Sequence, residues 1–155
     1  MTAMEFRVIG TVAAQGSKRY VGNGISIESS KKVAPWRQDV AREAKDAVDA
    51  CGWQPPAEAQ VTVVFLFRRP KHHYRTGRNS HLLRDNAPYW HNQKPDVDKC
   101  QRSTFDALTT AGALADDCRI VQVRAEKVWA AADEPTGALI QISSEPKRYE
   151  GLHKS

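Results

Sequence analysis

The sequence predicts a single α+β domain of two layers, in which two main helices cover one face of a mixed β-sheet. Its 155 residues fit one domain of ordinary size. Two stretches show helical apolar periodicity, and the other apolar stretches are short and either alternating or β-branched, as in strands. We assign residues 1–144 to the domain and residues 145–155 to a polar C-terminal tail.

The first three predicted elements are a strand, a hairpin and a helix. Residues 5–13 alternate apolar with small or polar side chains, which predicts a strand. Residues 20–27 predict a hairpin that turns at the Gly-Asn-Gly of residues 22–24. Residues 35–51 carry apolar side chains at helical spacing, begin with a proline and are followed by Gly52, so they predict an amphipathic helix.

The second half predicts a strand, a long loop, a helix and two strands. Residues 60–68 are β-branched and aromatic, which is typical of a central strand. Residues 98–111 again have helical periodicity, and residues 119–129 and 137–143 predict the last strands. Residues 69–94, called the basic segment below, have no sustained period. A loop of this length inside a compact domain is usually functional or disordered, and we expect it to be flexible.

Positive charge is concentrated at the basic segment. The net charge of +5 and the pI near 9.2 point only weakly to a polyanionic partner. Residues 68–94, however, hold seven basic residues and one acid, a local charge of +6, so the rest of the chain is at −1. Four of the five histidines lie here too, with Tyr74, Tyr89 and Trp90. This distribution favours the segment as the contact surface for an anionic partner.

The apolar stretches and the cysteines indicate the cellular compartment in which we expect the protein. There is no run of about 18 apolar residues and no secretory pattern near the first residues, so we expect a soluble, intracellular protein without a membrane partner. Cys51, Cys100 and Cys118 are odd in number, far apart and never in a C-x-x-C pair. They suggest neither a disulfide framework nor a zinc ribbon, and a reducing cytoplasm fits them.

Asp96 and Asp98 stand two residues apart just before the second predicted helix, where Pro95 disfavours helix for the residue before it. In an extended segment, positions i and i+2 point to the same side, so these carboxylates are able to share one cation. Mg²⁺ binds through one or two carboxylates and keeps water and phosphate oxygens as its other ligands, as a phosphodiester hydrolase requires. The alternative is that Asp98 caps the following helix by accepting a backbone N–H bond.

The second helix and the turn after it add further polar groups. On a helical wheel, the face that continues from Asp98 is polar and consists of Lys99, Arg102, Ser103, Asp106 and Thr109. This face either places cations beside a scissile phosphate or is a solvated surface with an Arg102–Asp106 ion pair. The adjacent acids Asp116 and Asp117 then precede a strand, where they either return a carboxylate to the first pair or occupy an ordinary turn.

Four short blocks at matching intervals resemble the signature of the RusA-type Holliday junction resolvases, closely over residues 94–125. The blocks are Lys-Pro-Asp-Val-Asp-Lys at 94–99, Phe-Asp-Ala-Leu-Thr at 105–109, Ala-Gly at 111–112 and Asp-Asp-Cys-Arg-Ile-Val at 116–121.

Upstream similarity is weaker. Gly-Ser-Lys-Arg at 16–19 and Trp-Arg at 36–37 are similar to elements of phage-type members, although Ala13 and Ala14 stand where a proline is common. The resemblance implies a RusA-like fold, a role in DNA recombination and repair, and a bacterial cytoplasm as the compartment, with a phage or prophage as the source it hints at.

The resemblance also implies the site. Asp96, Asp98 and Asp117 are carried over as metal ligands for Mg²⁺, with Mn²⁺ as the other candidate ion. Asp116 is the nearest substitute for Asp117 if the register is off by one, and whether Asp106 joins the site is open. A catalytic lysine expected one turn into the helix falls on Arg102. Arginine forks onto phosphate whereas lysine acts as a point charge, so either Arg102 or Lys99 takes that role.

The expected substrate is branched DNA, above all a four-way junction. Two strands of a junction must be cut symmetrically, and a two-fold homodimer supplies two symmetric sites. Aromatic side chains of the basic segment are candidates to stack on exposed bases, while its cations release counterions from the phosphate backbone. The expected DNA contacts are Lys18, Arg19, Arg69, Lys71, Arg75, Arg78, Arg84 and Lys94.

Two other interpretations remain open at this stage. A non-catalytic, structure-selective DNA-binding protein on the same fold would use the same basic segment and treat the three aspartates as caps and turn residues. A zinc site built from His72, His73, His81 and His91 is a further alternative, although these histidines show no regular ligand spacing.

Overall fold

The computed structural model describes residues 2–16, 18–22, 25–28 and 31–151, with the backbone alone for 18–21 and 25–28. It confirms an α+β domain with a mixed four-stranded sheet and two main helices. The elements are β1 (Ala3–Ile9), β2 (Lys18–Gly22), β3 (Ile25–Glu28), α1 (Val33–Cys51), β4 (Ala59–Arg68), α2 (Val97–Thr110), β5 (Ile120–Ala130) and β6 (Gly137–Ser143). In the described part of the chain, no helix has the length and apolar character that a membrane span needs.

The main sheet has the strand order β1-β6-β4-β5. β6 pairs antiparallel with both β1 and β4, whereas β4 and β5 run parallel, so the sheet is mixed as expected. The last two strands therefore lie on opposite sides of β4, although they follow each other in the chain. β2 and β3 form the predicted hairpin as a separate two-stranded sheet, and its turn at Asn23 and Gly24 lies outside the described residues.

The core lies between the sheet and the two helices. Alternate residues of β4, namely Val61, Val63 and Phe65, are fully buried, and Val40 of α1 and Leu108 of α2 are fully buried in the same cluster. The period of two in the strand and the helical period of α1 and α2 thus meet in one apolar layer. This is the packing that a two-layer domain requires.

The first strand ends earlier than the sequence predicts. Residues 5–13 were expected to be strand, yet β1 ends at Ile9. A Cβ atom at Gly10 would lie 2.5 Å from the Asp39 Oδ2 atom of α1, so a larger residue here would force the Asp39 carboxylate to move. Val12 and Ala13 are buried all the same, because the chain leaves the sheet here and packs against α2. Their apolar character reflects burial against a helix and not strand pairing.

A buried hydrogen bond joins the two helices. The Trp36 side chain is fully buried, and its indole Nε1 donates to the Thr104 Oγ1 atom at 3.2 Å. The same hydroxyl donates to the carbonyl of Cys100 at 2.8 Å, so it has a partner on each side. Because buried polar groups are expensive to leave unpaired, this bond fixes how α2 sits on α1.

Replacing Thr104 by valine tests this bond. Thr104→Val keeps the side-chain shape but removes the acceptor of the buried Trp36 N–H, so we expect the free energy of unfolding to fall by about 1–3 kcal/mol. Urea denaturation followed by far-UV circular dichroism measures it. Thr110→Val is the matched control, because that hydroxyl is exposed, and it should change stability by less than about 0.5 kcal/mol. Equal losses for the two variants would contradict a special role for the Trp36–Thr104 bond.

Candidate functional site

The two carboxylates of the D-x-D block lie at the N-terminal end of α2. Asp96 occupies the N-cap position with extended backbone angles, but its side chain makes no capping hydrogen bond. Asp98 lies in the first turn of the helix, so the interpretation of Asp98 as the N-cap is wrong. The expectation of a continuous extended segment is also wrong beyond Asp96. Both side chains are exposed and therefore accessible to a ligand.

The electrostatics of this helix end suit carboxylates. The unpaired N–H groups of a helix N-terminus favour negative charge, and Asp96 and Asp98 supply it. The Lys99 Nζ atom lies 3.6 Å from the Asp96 Oδ2 atom, an exposed ion pair between positions i and i+3. Asp98 makes no hydrogen bond or ion pair with any residue that the structure describes.

A cleft of about 420 Å³ opens beside Asp96. Its polar wall consists of Lys32, Lys94, Lys99 and Asp96, and its apolar wall comes from residues 12–14. Three lysines against one aspartate favour an anionic occupant with room for a phosphate group. Lys32 was missed by the sequence reasoning, because it precedes α1 and only tertiary packing brings it to α2.

The chain before the hairpin lies along α2. The backbone N–H of Gln15 donates to the Lys99 carbonyl at 3.1 Å, and its Nε2 atom donates to the Asp106 Oδ2 atom at 2.7 Å. A methyl group added at Gly16 would lie 3.5 Å from Lys99 Cγ and 3.6 Å from Arg102 Nη1. Residues 15 and 16 therefore pack on the polar face of α2. No motif in the sequence indicates this contact of Gln15.

Ser103 departs from the predicted polar face. It is fully buried, and its hydroxyl donates to the carbonyl of Ala13 at 2.6 Å. The side chain therefore fastens the segment after β1 to α2 and is not available to solvent. Arg102, one residue earlier, is exposed as expected.

Asp117 lies at the other end of α2. It begins the short 3₁₀ turn Asp117–Arg119 just before β5, and the Thr109 hydroxyl donates to its Oδ1 atom. Burial, together with the nearby carboxyls of Asp106 and Asp116, raises the pKa of Asp117 above its ordinary value, against the lowering effect of the Thr109 hydrogen bond. Asp106, Asp116 and Asp117 line one pocket together with Arg37. Three carboxyls there face one arginine, so a bound cation would relieve the excess of negative charge.

Asp116 has a structural role in the same turn. Its side chain accepts a hydrogen bond from the Cys118 backbone N–H at 2.9 Å, and that bond lowers the pKa of Asp116. The two neighbouring aspartates, Asp116 and Asp117, therefore have different roles. Asp116 caps the 3₁₀ turn, whereas Asp117 faces Asp106 and Thr109.

The three predicted metal ligands do not lie close together within one chain. Asp98 and Thr109, the partner of Asp117, are eleven residues apart on one helix, which is about 16 Å at 1.5 Å per residue. Within the described ranges, no group of three or more histidine, cysteine, aspartate or glutamate side chains is close enough to hold a metal ion. Asp96 and Asp98 form one half of the predicted set and Asp117 the other.

Several arginines of the basic segment are used inside the protein. Arg69 is half-buried, donates to the Pro88 carbonyl at 2.7 Å and lies over the Trp129 ring. Arg75 pairs with Asp85 at 3.0 Å, and Arg84 donates to the His72 carbonyl at 3.0 Å. These three arginines organise the loop from within, so fewer charges are directed outward than the sequence implies.

The remaining predicted DNA contacts fall into two groups. Lys71, Arg78 and Lys94 are exposed, and their side chains make no hydrogen bond or ion pair with the described residues. Lys18 and Arg19 lie on the backbone of β2, while their side chains are outside the described part of the structure. The basic segment itself contains two short 3₁₀ turns, Lys71–His73 and Gly77–Asn79, and its flexibility stays a prediction.

A buried cluster of rings holds the two ends of the basic segment. The His91 ring stacks on Phe67 with centroids 3.9 Å apart and lies 4.4 Å from Trp129, which also contacts His73. Burial lowers the pKa of both His73 and His91, so both rings are neutral near pH 7. The four histidines of the zinc alternative do not converge, because no three of these described side chains are close enough to hold a metal ion.

Lys127 fastens the chain immediately before Asp96. Its Nζ atom donates to the carbonyls of Gln93 and Pro95 at 2.6 and 2.7 Å. The two acceptors flank Lys94, so one half-buried cation on β5 fixes the segment that carries Asp96. No local pattern indicates this contact, because 32 residues separate Lys127 from Pro95.

Replacing Lys127 by methionine tests this anchor. Lys127→Met keeps the length and packing of the side chain but removes both hydrogen bonds, so the backbone at residues 92–96 should open more often. We expect about 10-fold faster amide hydrogen exchange there, since a hydrogen bond from a charged group contributes about 1.5–3 kcal/mol. The pKa of His91 should also rise, because the charge of Lys127 lowers it.

Hydrogen-exchange mass spectrometry and NMR titration measure these two effects. Lys45→Met is the matched control, because Lys45 is an exposed lysine of α1 whose ion-pair partner among the described residues is Asp49. It should leave both quantities unchanged. Unchanged exchange at residues 92–96 in Lys127→Met would show that the segment is held by other contacts.

Comparison with known proteins identifies the family of this chain. The family model described as Endodeoxyribonuclease RusA matches residues 10–143, which include α1, α2 and all three predicted ligands. A search of curated proteins found no match. Because the family model spans most of the chain, this protein belongs to the RusA family of endodeoxyribonucleases, which are Holliday junction resolvases.

Proposed function

We propose that this protein is a metal-dependent, homodimeric endodeoxyribonuclease that resolves four-way DNA junctions by paired, symmetric hydrolysis of phosphodiester bonds. The observation that carries the proposal is the exposed carboxylate pair Asp96 and Asp98 beside a cleft lined by three lysines. Neither carboxylate caps the helix, so both are left for a ligand. Family membership supplies the reaction class.

The residues fit a hard divalent cation. Carboxylate oxygens are the ligands that Mg²⁺ and Mn²⁺ take in such sites, and the pKa of Asp117 is raised by burial and by the nearby carboxyls of Asp106 and Asp116. Asp96, Asp98 and Asp117 would hold the ion. When bound, such an ion lowers the pKa of a water nucleophile and neutralises charge on the phosphoryl oxygens.

The chain's own cations would bind and orient the scissile phosphate. Lys99 lines the cleft and lies beside Asp96, so it is placed to neutralise charge that develops on the phosphoryl oxygens. Arg102 is exposed one turn along the helix, where its guanidinium would fork onto a neighbouring phosphate. We therefore assign the role of the family lysine to Lys99 and a clamping role to Arg102.

Two chains would complete each site. Thr109, which donates to Asp117, lies about 16 Å along α2 from Asp98, too far for one ion to join the two carboxylates within a chain. A homodimer with a two-fold axis would place Asp96 and Asp98 of one protomer against Asp117 of its partner, and the same contact would be repeated once by symmetry. Two equivalent sites would then face two symmetric strands of a junction.

Cleavage of a synthetic four-way junction tests the reaction. Asp98→Asn keeps the shape of the side chain but removes the charge that binds the cation, so we expect junction cleavage to fall by at least about 100-fold, since even supporting partners of a metal ligand contribute 10–100-fold. Denaturing gels of end-labelled strands, with and without Mg²⁺ or Mn²⁺, measure the rate. Wild-type protein should give paired, symmetric cuts that require the metal.

Asp49→Asn, which alters an exposed acid on α1, is the matched control and should cleave as wild type does. A linear duplex of the same sequence should remain uncut. If wild-type protein binds the junction tightly yet cuts it with neither metal, the chain is a structure-selective binding protein that has kept the fold and lost the chemistry.

Mixing two inactive variants tests the shared site. Co-expressed Asp98→Asn and Asp117→Asn chains form heterodimers in which one site carries both substitutions and the other carries none. We expect nicking at about a quarter of the wild-type rate, because half of the dimers would keep one of two sites. The cuts should be single and not paired.

The matched control combines Asp98→Asn with Asp96→Asn. Both changes fall in the same half of the site, so neither site of the heterodimer is intact and no activity should return. Failure of the Asp98→Asn and Asp117→Asn mixture to regain nicking, with heterodimers shown by native mass spectrometry, would place all the required carboxylates of one site in one chain.

A further inference from the structure

Tyr89 and Trp90 form an exposed aromatic pair on the basic segment. Their side chains are 68% and 54% exposed, and their rings meet edge to face with centroids 4.8 Å apart. The other three tryptophans of the chain, Trp36, Trp53 and Trp129, are all buried. Large apolar side chains that cluster on a surface mark a contact site more often than they mark packing.

The backbone of this pair is held on both sides. On one side, Arg69 donates to the carbonyl of Pro88 at 2.7 Å. On the other, the His91 N–H donates to the Lys127 carbonyl at 3.0 Å, and the His91 ring is stacked on Phe67.

Trp90 itself pairs with Val128 of β5 through an isolated β-bridge. These contacts hold the backbone at residues 88–91, so less conformational entropy would be lost when the rings bind than in a loop without them.

The charges around the pair identify the kind of partner. Residues 68–94 carry a net charge of +6, and Lys71, Arg78 and Lys94 remain exposed among them. A partner that is anionic and also offers flat apolar faces is a nucleic acid whose bases are uncovered. In a linear duplex, neighbouring base pairs cover those faces, whereas at a branch point the stack is interrupted.

We propose that Tyr89 and Trp90 stack on bases exposed at the branch point and thereby select branched DNA over linear duplex. This proposal rests on the proposed function and names its selectivity element. Trp90 precedes Asp96 by six residues, so the Cα atoms of the two residues are at most about 22 Å apart, the greatest span of six residues. The basic side chains supply affinity for any DNA, and the aromatic pair supplies the preference for a branch.

Equilibrium binding to a four-way junction with 2-aminopurine at the branch point tests the proposal. A linear duplex of the same sequence is measured in parallel, both without divalent metal so that no strand is cut. Tyr89→Leu/Trp90→Leu should weaken junction binding by at least about 10-fold, in line with alanine substitutions of stacking aromatics. Duplex binding should change less than about twofold, because the phosphate contacts are intact.

The 2-aminopurine signal at the branch point should change on binding of wild-type protein and not on binding of the double variant. Tyr149→Leu is the matched control, because Tyr149 is 71% exposed but lies in the C-terminal tail, and it should behave as wild type. Equal weakening on junction and duplex, or no weakening on either, overturns the proposal, provided circular dichroism shows that the variant is folded.

The two proposals fail separately. A wild-type protein that cuts no junction, while its junction binding still depends on Tyr89 and Trp90, overturns the nuclease and supports the stacking pair. A protein that cuts junctions with metal but binds them equally with or without the two rings keeps the nuclease and overturns the stacking pair.

Discussion

The placement of helix α2 is the constraint on which the rest of the structure depends. Its apolar face is buried against α1 and the sheet, the Trp36–Thr104 hydrogen bond fixes its position on α1, and Ser103 binds the chain that leaves β1. A helix is a rigid rod with a rise of 1.5 Å per residue. Once its buried face is fixed, the positions of Asp96 and Asp98 at one end, and of the partner of Asp117 at the other, are fixed too.

That rigidity orders the carboxylates and also keeps them apart. Asp96 and Asp98 lie at the helix N-terminus, whose unpaired N–H groups favour negative charge. Asp117, at the other end, lies beside Asp106 and Asp116, where its pKa is raised and added positive charge would be favourable. If one ion joins the two halves across a dimer, metal binding and dimer formation are linked, so each stabilises the other.

The basic segment divides its side chains between internal and external roles. Arg69, Arg75 and Arg84 bind carbonyls or a carboxylate of the segment itself, and the buried rings of His73 and His91 are neutral near pH 7. The count of positive charges therefore overstates the charge available to a ligand. The internal contacts of these arginines and rings nevertheless explain how a stretch without regular secondary structure holds the backbone that carries Tyr89 and Trp90.

The sequence by itself determined the elements and the reaction class. Period two and helical periodicity report which local residues are buried, so five of the strands and helices were placed within one or two residues of their bounds, from α1 to β6. The four blocks between Lys94 and Val121 indicated the RusA family, which the family model confirms. β1 was predicted too long, because Val12 and Ala13 are buried against a helix and a pattern cannot tell which element buries a residue.

Only the tertiary structure decided which distant residues meet. It set the strand order β1-β6-β4-β5 and brought Lys32 to the cleft beside Asp96. It also brought Lys127 to the Pro95 carbonyl, immediately before Asp96. It also separated Asp117 from Asp98, two residues that the motif presents as one set. The physical reason is that periodicity and spacing record local geometry, whereas contacts across 30 or more residues depend on how the helices and the sheet pack as whole bodies.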